Sequence, residues 1–581
     1  MTPVATQKAF TSEQEKVLQA WTTEYPYPIM GLLEALRQVQ QWNLCIRPEH
    51  EDFVANLFKT TLTRVHELVT FFPMFTTEPT GRKRVGVCHG LSCTMAGAEK
   101  ACASLEKKLG VSEGVTTKDG EYSWEELECI GACEQAPAFQ INDELQGPAT
   151  EESIAKLSGS RRPVILGGEK PLLTKDFADA ALHTLEAYRK HGGYEGWKKA
   201  QAMSPAELSA EVVKSNLRGL GGAGFPTGGK WGTVPPVEKA PERYVVGNYD
   251  ESEPGCFKDR VLGERSPHQI LEGLLIACRA VSSKWGFIFI RGEYAAQDRI
   301  LRKAIGELQM SGLAGEIKLR IMRGAGAYIC GLDTALLETM EGKKAWPRQP
   351  PPFPTVVGLM GKPTVVNNIE TLSMLPHIIK NGGEWFAKLG VPPNPEKKIP
   401  GSGGTAVFSV SGDVEKPGIY EVPLGTPLRK VIDMAGGVEG GKKLKGAIPG
   451  GTSAPPVTAA EADVPLDFDS IRTVGSFMGA CGIIVLDETR DMVEVAHNIE
   501  RFLAHESCGQ CTPCREGSEW TTRILARALD GKGTPADAPN LQRIGENITG
   551  KVICALGDTV GMVTRGFMKK FPDDFKKRIP S

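Results

Sequence analysis

The 581-residue chain has no apolar run approaching the ~18–20 residues that cross a bilayer; its best stretches, at 274–278 and 287–290, meet charge within a few residues. Direct membrane insertion by a helix is therefore not expected. It also lacks an excess of either charge: 68 Lys plus Arg against 70 Asp plus Glu leave a formal charge of −2. A near-neutral chain has no basic surplus to drive nucleic-acid binding or a polybasic membrane contact. Cysteine is scarce, fourteen residues in all, too few for a disulfide scaffold. The opening MTPVATQKAFTSEQEK has neither the basic start nor the apolar core of a secretory signal, so a cytoplasmic location is expected. No internal repeat or low-complexity tract is present, although QPPPFP at 349–354 is proline-rich and reads as extended. With 41% hydrophobic and 24% charged residues the composition is that of a globular protein, and the length predicts about four folded units.

Helical periodicity runs through residues 11–80, in PIMGLLEALRQVQ and FVANLFKTTLTRVHELVTFF, with a helix start at Thr11. From 84 the pattern changes to short strands and one helix (RVGVC, MAGAEKACASLEKKLG, AFQIND), and a Ser-, Pro- and charge-rich break falls near 160. A glycine-dense block at 200–395 repeats strand, Gly loop and helix signals, which predicts a parallel or mixed α/β layer. Between 401 and 470, AVFSVSGDV, GIYEVP and PLRKVIDMAGG read as two strands and a helix in a compact α+β insert. Helical periodicity returns from 485 to 570.

Eight of the cysteines form two spaced sets, the pattern of metal binding in a reducing compartment. Cys88 and Cys93, then Cys129 and Cys133 after 35 residues, make two close pairs. Four thiolates in such pairs can hold zinc or an iron–sulfur cluster. The four- and three-residue gaps suit two loops each gripping one iron of a [2Fe–2S] rhomb better than they suit zinc. Cys508, Cys511 and Cys514 come at two-residue gaps, with Cys554 following after 39 residues. Three thiolates this close cannot lie on one helix face, but they can wrap three irons of a [4Fe–4S] cubane that a remote fourth closes.

Three glycine- and amide-rich segments carry phosphate-binding potential. LRGLGGAGFPTGGK at 217–230 can bring backbone N–H groups close to an anion, with Lys230 as a point charge. It is neither a dinucleotide fingerprint nor a P-loop, and a simple turn is the alternative. NYDESEPGCFKDR at 248–260 follows the strand signal YVVG and offers carboxylate and amide acceptors, or else a solvated acidic loop. RGAGAYICGLDT at 323–334 precedes a helix whose N-terminus could face a phosphate. Asn367 and Asn368 add an adjacent amide pair, or alternatively a turn and a helix cap.

Together these motifs resemble the [2Fe–2S] and NADH-oxidising flavoprotein subunits of bacterial respiratory complex I, fused end to end. TFFPMF, CHGLSC, TTKDGEYSWEELECIGAC and QIND carry the first resemblance. LRGLGGAGFPTGGKW, NYDESEPGCFKDR, GAGAYICG, PTVVNNIET, LDFDS and ESCGQCTPCREG carry the second. Related modules occur in NAD-reducing and bifurcating hydrogenases and in NAD-dependent formate dehydrogenases. The resemblance implies a multidomain α/β and α+β fold. Its parts would be a helical N-terminal extension (1–80), a thioredoxin-like [2Fe–2S] domain (81–160), an α/β FMN- and NADH-binding domain (161–395), a ubiquitin-like β-grasp insert (396–475) and a helical [4Fe–4S] domain (476–581).

By position, the resemblance places FMN against Gly219, Gly221, Lys230, Asn248, Asp250, Tyr328, Gly331, Asn367 and Asn368. NADH would stack near Gly222, Phe225, Glu253 and Phe353, with Glu251 and Glu253 tuning the flavin. The chain departs from the usual complex I pattern at Leu220, Thr233, Leu332, Asp333 and Pro350, which removes charge and stacking surface around the dinucleotide. The implied activity is NADH dehydrogenase: hydride to FMN, then single electrons to the [4Fe–4S] cluster, with the [2Fe–2S] cluster as side acceptor or relay. The implied partners are other subunits of a redox complex, above all an iron–sulfur-rich one, on the cytoplasmic side of the inner membrane. A hydrogenase or formate dehydrogenase diaphorase is the runner-up, and an assembly subunit without NADH turnover is a third reading.

Overall fold

The organising element is a four-stranded all-parallel sheet in the glycine-dense block. In spatial order its strands are Lys318–Arg323, Trp285–Ile290, Tyr244–Tyr249 and Thr364–Asn368. The computed structural model describes residues 9–396 and 399–580; the first eight residues of the expected extension and the last residue of the expected C-terminal domain lie outside these. Both faces of the sheet are covered, so its strands are apolar on both sides, as in WGFIFI at 285–290, where every residue but Trp285 is buried. On one face pack the long helices Pro267–Ala280 and Ile369–Asn381. They approach so closely at Gly273 that a Cβ there would lie 2.0 Å from the carbonyl oxygen of Leu372. Gly273→Ala is expected to cost about 1–3 kcal/mol by overpacking, read as a lower midpoint in denaturant unfolding.

The N-terminal helices cover the other face. Ser12–Glu24, opened by a reciprocal Thr11–Gln14 capping box, and Leu32–Asn43 share one core with Tyr244, Val246, Phe287 and Phe289 of the sheet. Tyr25 donates to the carbonyl of Ile321 (2.7 Å) and Arg37 to that of Arg323 (2.8 Å). The helical extension is thus built into the flavin-type core.

The first cysteine set sits on a separate sheet ordered Tyr122–Leu127, Lys83–Cys88, Ala138–Ile141, Glu144–Pro148. Its first pair is parallel and the rest are antiparallel. Helix Ala98–Leu109 makes the crossover between the parallel strands. The 122–127 strand carries no clean alternation because it is an edge strand with a half-exposed YSWEEL sequence.

The α+β insert reaches further than its sequence signals. Its six-stranded mixed sheet runs Val457–Thr458, Leu444–Ile448, Gly482–Asp487, Thr405–Gly412, Gly418–Pro423, Ile165–Gly168. Gly482–Asp487 is fully buried at its centre and Ile165–Gly168 closes its edge, although both lie outside residues 396–475. The second cysteine set lies among helices Met492–His505, Thr512–Leu529, Asp537–Ile548 and Ala555–Lys570. QPPPFP forms neither helix nor strand. No helix among the described residues is long and apolar enough to cross a membrane.

Candidate functional site

Strand order decides where a ligand fits on the parallel sheet. From Tyr244–Tyr249 the chain adds two strands on one side and then returns to place Thr364–Asn368 on the other. The carboxyl ends of these two neighbours, where the direction of winding reverses, leave the crevice that open α/β sheets use for ligands. Asn248, Asp250, Asn367 and Asn368 all emerge there.

The loop containing Gly219–Gly222 folds over this crevice. The amide of Leu220 donates to Thr371 Oγ1 (2.9 Å), and a Cβ on Gly221 would meet Asn368 Cβ at 2.7 Å, so Gly221 is a close-packing glycine. Gly222, at φ +135°, faces open space, and Gly219 and Gly331 have nothing nearer than 3.6 and 3.5 Å to an added Cβ. Lys230 reaches the same place: its Nζ donates to the carbonyl of Val366 and to Asp333 Oδ2, both at 2.7 Å. Asp333 begins helix Asp333–Met340, so this helix start, expected to face a phosphate, already carries an anion of its own. Asn248 Nδ2 donates to the carbonyl of Gly331 (2.8 Å) and its Oδ1 accepts from the amide of Asp250 (3.0 Å). Burial pushes Asp250 up to about 7, with Arg291 opposing. Asn368 caps helix Ile369–Asn381, accepting from Glu370 and Thr371, while its Nδ2 donates to Asp259 (2.7 Å). An open, glycine-lined crevice with one ammonium and several amide groups fits a phosphorylated flavin.

The acidic loop divides its carboxylates between different tasks. Glu251 turns inward, accepting from the amides of Asp259 and Arg260 at the start of helix Lys258–Arg265 (2.8 Å each) and from Tyr294 Oη (2.9 Å). Burial and the nearby Asp259 push it up to about 7. It anchors the loop and does not stand on the open face of the crevice. Glu253 accepts from Tyr328 Oη (2.6 Å), Thr452 Oγ1 (3.0 Å) and the amide of Ser453 (2.7 Å), and burial raises it. It therefore ties the flavin-type domain to the loop after Leu444–Ile448. Phe225 and Phe353 are 57% and 61% exposed, leaving their rings free to stack on a ligand.

Both thiol sets converge. Cys88 contacts Cys93 and Cys129, and Cys129 contacts Cys133. This buried tetrad suits a small cluster, and its second loop is seated directly on the flavin-type domain. The backbone amide of Gly255 donates to Cys133, Arg291 donates to the carbonyl of Cys129 (2.5 Å), and Arg260 donates to that of Gly131 (2.8 Å) while pairing with Glu134. Tyr294 closes against Gly131 at a distance that excludes any side chain there.

The second tetrad is built on two helix N-termini. Cys508 lies in the irregular stretch between Met492–His505 and Thr512–Leu529, Cys511 is the N-cap of Thr512–Leu529 with Cys514 in its first turn, and Cys554 is the N-cap of Ala555–Lys570. The amides of Leu556 and Gly557 donate to Cys554, that of Gln510 to Cys508 and that of Ile553 to Cys511 (3.4 Å). Amides and helix dipoles aimed at the sulfurs stabilise the negative charge of a thiolate-bound cluster. The flavin-type domain touches this tetrad too: Trp346 Nε1 donates to the carbonyl of Cys508 (2.9 Å), and Tyr328 donates its amide to Glu506 (3.0 Å) and sets its ring edge-on to Phe502.

Close by, Glu500 is buried without a charged partner and is pushed up to about 8. A carboxyl raised in the folded state favours folding at low pH and loses that advantage as pH climbs from about 4.5 to about 8. Glu500→Gln is therefore expected to gain up to about 4 kcal/mol on the parent between pH 5 and pH 9, measured by chemical denaturation.

Sequence reasoning missed Arg260, Arg291, Tyr294 and Trp231, whose Nε1 donates to Asn367 Oδ1 (3.0 Å). Arg260 and Trp231 end quoted motifs but showed no role; Arg291 and Tyr294, just after the strand WGFIFI, carried no local signal.

Comparison with known proteins agrees with this arrangement. Residues 18–160 match the thioredoxin-like [2Fe-2S] ferredoxin family, 212–377 the Nuo51 FMN-binding domain, 407–456 the SLBB domain, and 494–578 the NADH-ubiquinone oxidoreductase-F iron-sulfur binding region. The second NADH-quinone oxidoreductase F-type polypeptide of Rhizobium meliloti (strain 1021) is 43% identical over 420 residues, covering 71% of this chain and 98% of its own. The chain belongs to the NADH-quinone oxidoreductase F-type family. The F-type polypeptide of Streptomyces coelicolor is 42% identical over 433 residues, 73% of this chain and 94% of that one. The NAD+-reducing [NiFe]-hydrogenase in the H2-reduced state has a chain that superposes with a TM-score of 0.83 at 29% identity, covering 95% of this chain and 93% of that one. This member of the F-type family thus joins a thioredoxin-like [2Fe–2S] region to the FMN and [4Fe–4S] regions in a single polypeptide.

Proposed function

We propose that this chain oxidises NADH on FMN held in the crevice between Tyr244–Tyr249 and Thr364–Asn368, and passes electrons singly into its two iron–sulfur centres. Bound FMN supplies the chemistry of a two-electron to one-electron converter, taking hydride from the nicotinamide and giving up electrons one at a time. The protein's part is positioning and electrostatics. Lys230 meets the phosphate, Gly219 and Gly222 allow close backbone approach, and Asn248, Asp250, Asn367 and Asn368 hydrogen-bond the flavin. Phe225 and Phe353 offer stacking surface to the dinucleotide, and Glu253 holds Tyr328 in place beside it. Cys88, Cys93, Cys129 and Cys133 hold the [2Fe–2S] cluster; Cys508, Cys511, Cys514 and Cys554 hold the [4Fe–4S] cluster.

The observation that carries this reading is that the domain holding the glycine-lined crevice is hydrogen-bonded to two separate thiol tetrads, by way of Gly255 and Arg291 on one side and Trp346 on the other. Purified anaerobically, the chain should be brown, release FMN on denaturation, bleach with NADH and reduce ferricyanide. Zinc in place of iron and no flavin would overturn the reading.

The electrons leave to partner subunits of a multi-subunit complex, and any membrane association runs through those partners. In the complex I reading the acceptor is an iron–sulfur-rich subunit. One observation favours the diaphorase reading: the hydrogenase chain covers 95% of this chain, the Rhizobium relative 71%, so the fused architecture as a whole is shared with the former. The subunits that co-purify with the native protein decide between them.

A further inference from the structure

Arg291 follows the strand Trp285–Ile290 directly, at the end of the sheet where the flavin crevice opens, and it is buried. Its guanidinium reaches two loops at once. Nη1 donates to the carbonyl of Glu251 in the acidic loop (2.6 Å), and Nη2 donates to the carbonyl of Cys129 in the second loop of the first tetrad (2.5 Å). Glu293 grips the group from another side, accepting from Nε (3.0 Å) and Nη2 (2.9 Å). The Tyr294 ring centroid lies 5.2 Å from the guanidinium carbon. Held at Nε, Nη1 and Nη2, the planar fork keeps one orientation.

The charges around this tetrad are not evenly matched. Arg260, which donates to the carbonyl of Gly131 (2.8 Å), is answered by two carboxylates, Glu134 and Glu264 (3.0 Å). Among the described residues Arg291 has Glu293 alone as an ion-pair partner. In that pair the guanidinium side chain is 3% exposed and the carboxylate side chain 16%. Water screens the carboxylate more than the guanidinium, so the pair presents a residual positive field to the buried loop. Reduction makes a thiolate-bound cluster more negative by one charge, and its potential follows the net charge and hydrogen bonds around it. A fixed cation bonded to the carbonyl of a ligand residue, away from water, favours that added charge.

We propose that Arg291 is a positioning residue that raises the reduction potential of the [2Fe–2S] cluster, so that the cluster takes an electron from the flavin side readily and gives it up reluctantly. One electron leaves the reduced flavin and enters the iron pair; no bond is made or broken, and the guanidinium keeps its proton. Glu293 limits the effect by partly cancelling the cation. The inference rests on the redox reading above and adds to it which residue decides how strongly this centre holds its electron.

A potentiometric titration of the anaerobic, cofactor-loaded full chain, followed by electron paramagnetic resonance, tests it. Arg291→Gln should disfavour reduction of the [2Fe–2S] cluster at least about tenfold, a midpoint lower by about 59 mV or more for one electron. Glu293→Gln should move the same midpoint upward, because the cation then stands uncancelled. Arg291→Lys, which keeps the charge, should recover most of the loss. The [4Fe–4S] midpoint is the internal control and should stay within about threefold of the parent equilibrium in all three variants. The idea is overturned if Arg291→Gln, with its cluster intact, leaves the [2Fe–2S] equilibrium within about threefold of the parent, or if Arg291→Lys lowers it as far as Arg291→Gln does. Should Arg291→Gln fail to assemble the cluster, Glu293→Gln decides alone: a raised midpoint supports the inference, and an unmoved or lowered one ends it. A parent protein without a [2Fe–2S] signal would fail the redox reading and take this inference with it, whereas a parent with both signals and unmoved variants fails the inference only.

Discussion

Cys511→Ser is expected to lower iron from about six atoms per chain to about two and to abolish the electron paramagnetic resonance signal of the [4Fe–4S] cluster, leaving that of the [2Fe–2S] cluster intact. Cys511 stands at the junction of turn and helix, between Cys508 and Cys514, and its sulfur accepts from the amide of Ile553 (3.4 Å) beside Cys554. A serine hydroxyl neither reaches as far nor offers the soft donor that iron–sulfide favours, and three thiolates do not close a cubane. NADH should still bleach the flavin, and ferricyanide, which takes electrons from the flavin directly, should still be reduced within about threefold of the parent rate. Transfer to the native partner subunits should fall at least about a hundredfold. Thermal stability should fall as well, because the N-termini of Thr512–Leu529 and Ala555–Lys570 lose the anionic centre they jointly face. An unchanged cubane spectrum would remove Cys511 from the ligand set. Cys88→Ser should show the opposite pattern, with about four irons and only the cubane signal.

Lys230→Ala is expected to strip FMN, from nearly one per chain to below about a tenth after gel filtration, with both clusters retained. Removing one partner of a desolvated, hydrogen-bonded charge pair costs about 3–5 kcal/mol, a factor of several hundred or more in affinity. The Lys230 ammonium is shared between the carbonyl of Val366 and the carboxylate of Asp333. A phosphate must therefore compete with Asp333 for Lys230 or draw Lys230 away from it. Asp333→Asn should then hold FMN at least as tightly as the parent, opposite in sign to Lys230→Ala. Undiminished flavin content in Lys230→Ala would exclude a phosphate role for this lysine. Flavin content by fluorescence after denaturation reads both variants.

The two thiol sets illustrate what could be read from the chain before folding. Ligand spacing is local, and the Cys508, Cys511 and Cys514 run and the pairs at 88/93 and 129/133 advertise their chemistry because close thiolates have few other uses. Apolar strands such as WGFIFI likewise announce a sheet buried on both faces. The insert was less legible. GIIVLD at 482–487 reads as an isolated apolar segment, and only pairing with Leu444–Ile448 and Thr405–Gly412 makes it the centre of a sheet. Glu251 was hard to read for a related reason: in sequence it is one acid in an acidic loop, and its inward turn depends on Tyr294, 43 residues away.

The order of residues by itself determined the chemistry available to this protein: eight cysteines spaced for two kinds of iron–sulfur centre, glycine loops whose backbone amides are open to an anion, and apolar periods that set helices and strands. Tertiary structure alone decided how these parts are wired. Strand order placed the crevice between 244–249 and 364–368, Arg260 and Arg291 seated one tetrad on the flavin-type domain, and Trp346 tied the other to it. The physical reason is that ligand spacing and periodicity are written in neighbouring residues, whereas a hydrogen bond between Arg291 and Cys129 joins positions 162 apart that only packing brings together.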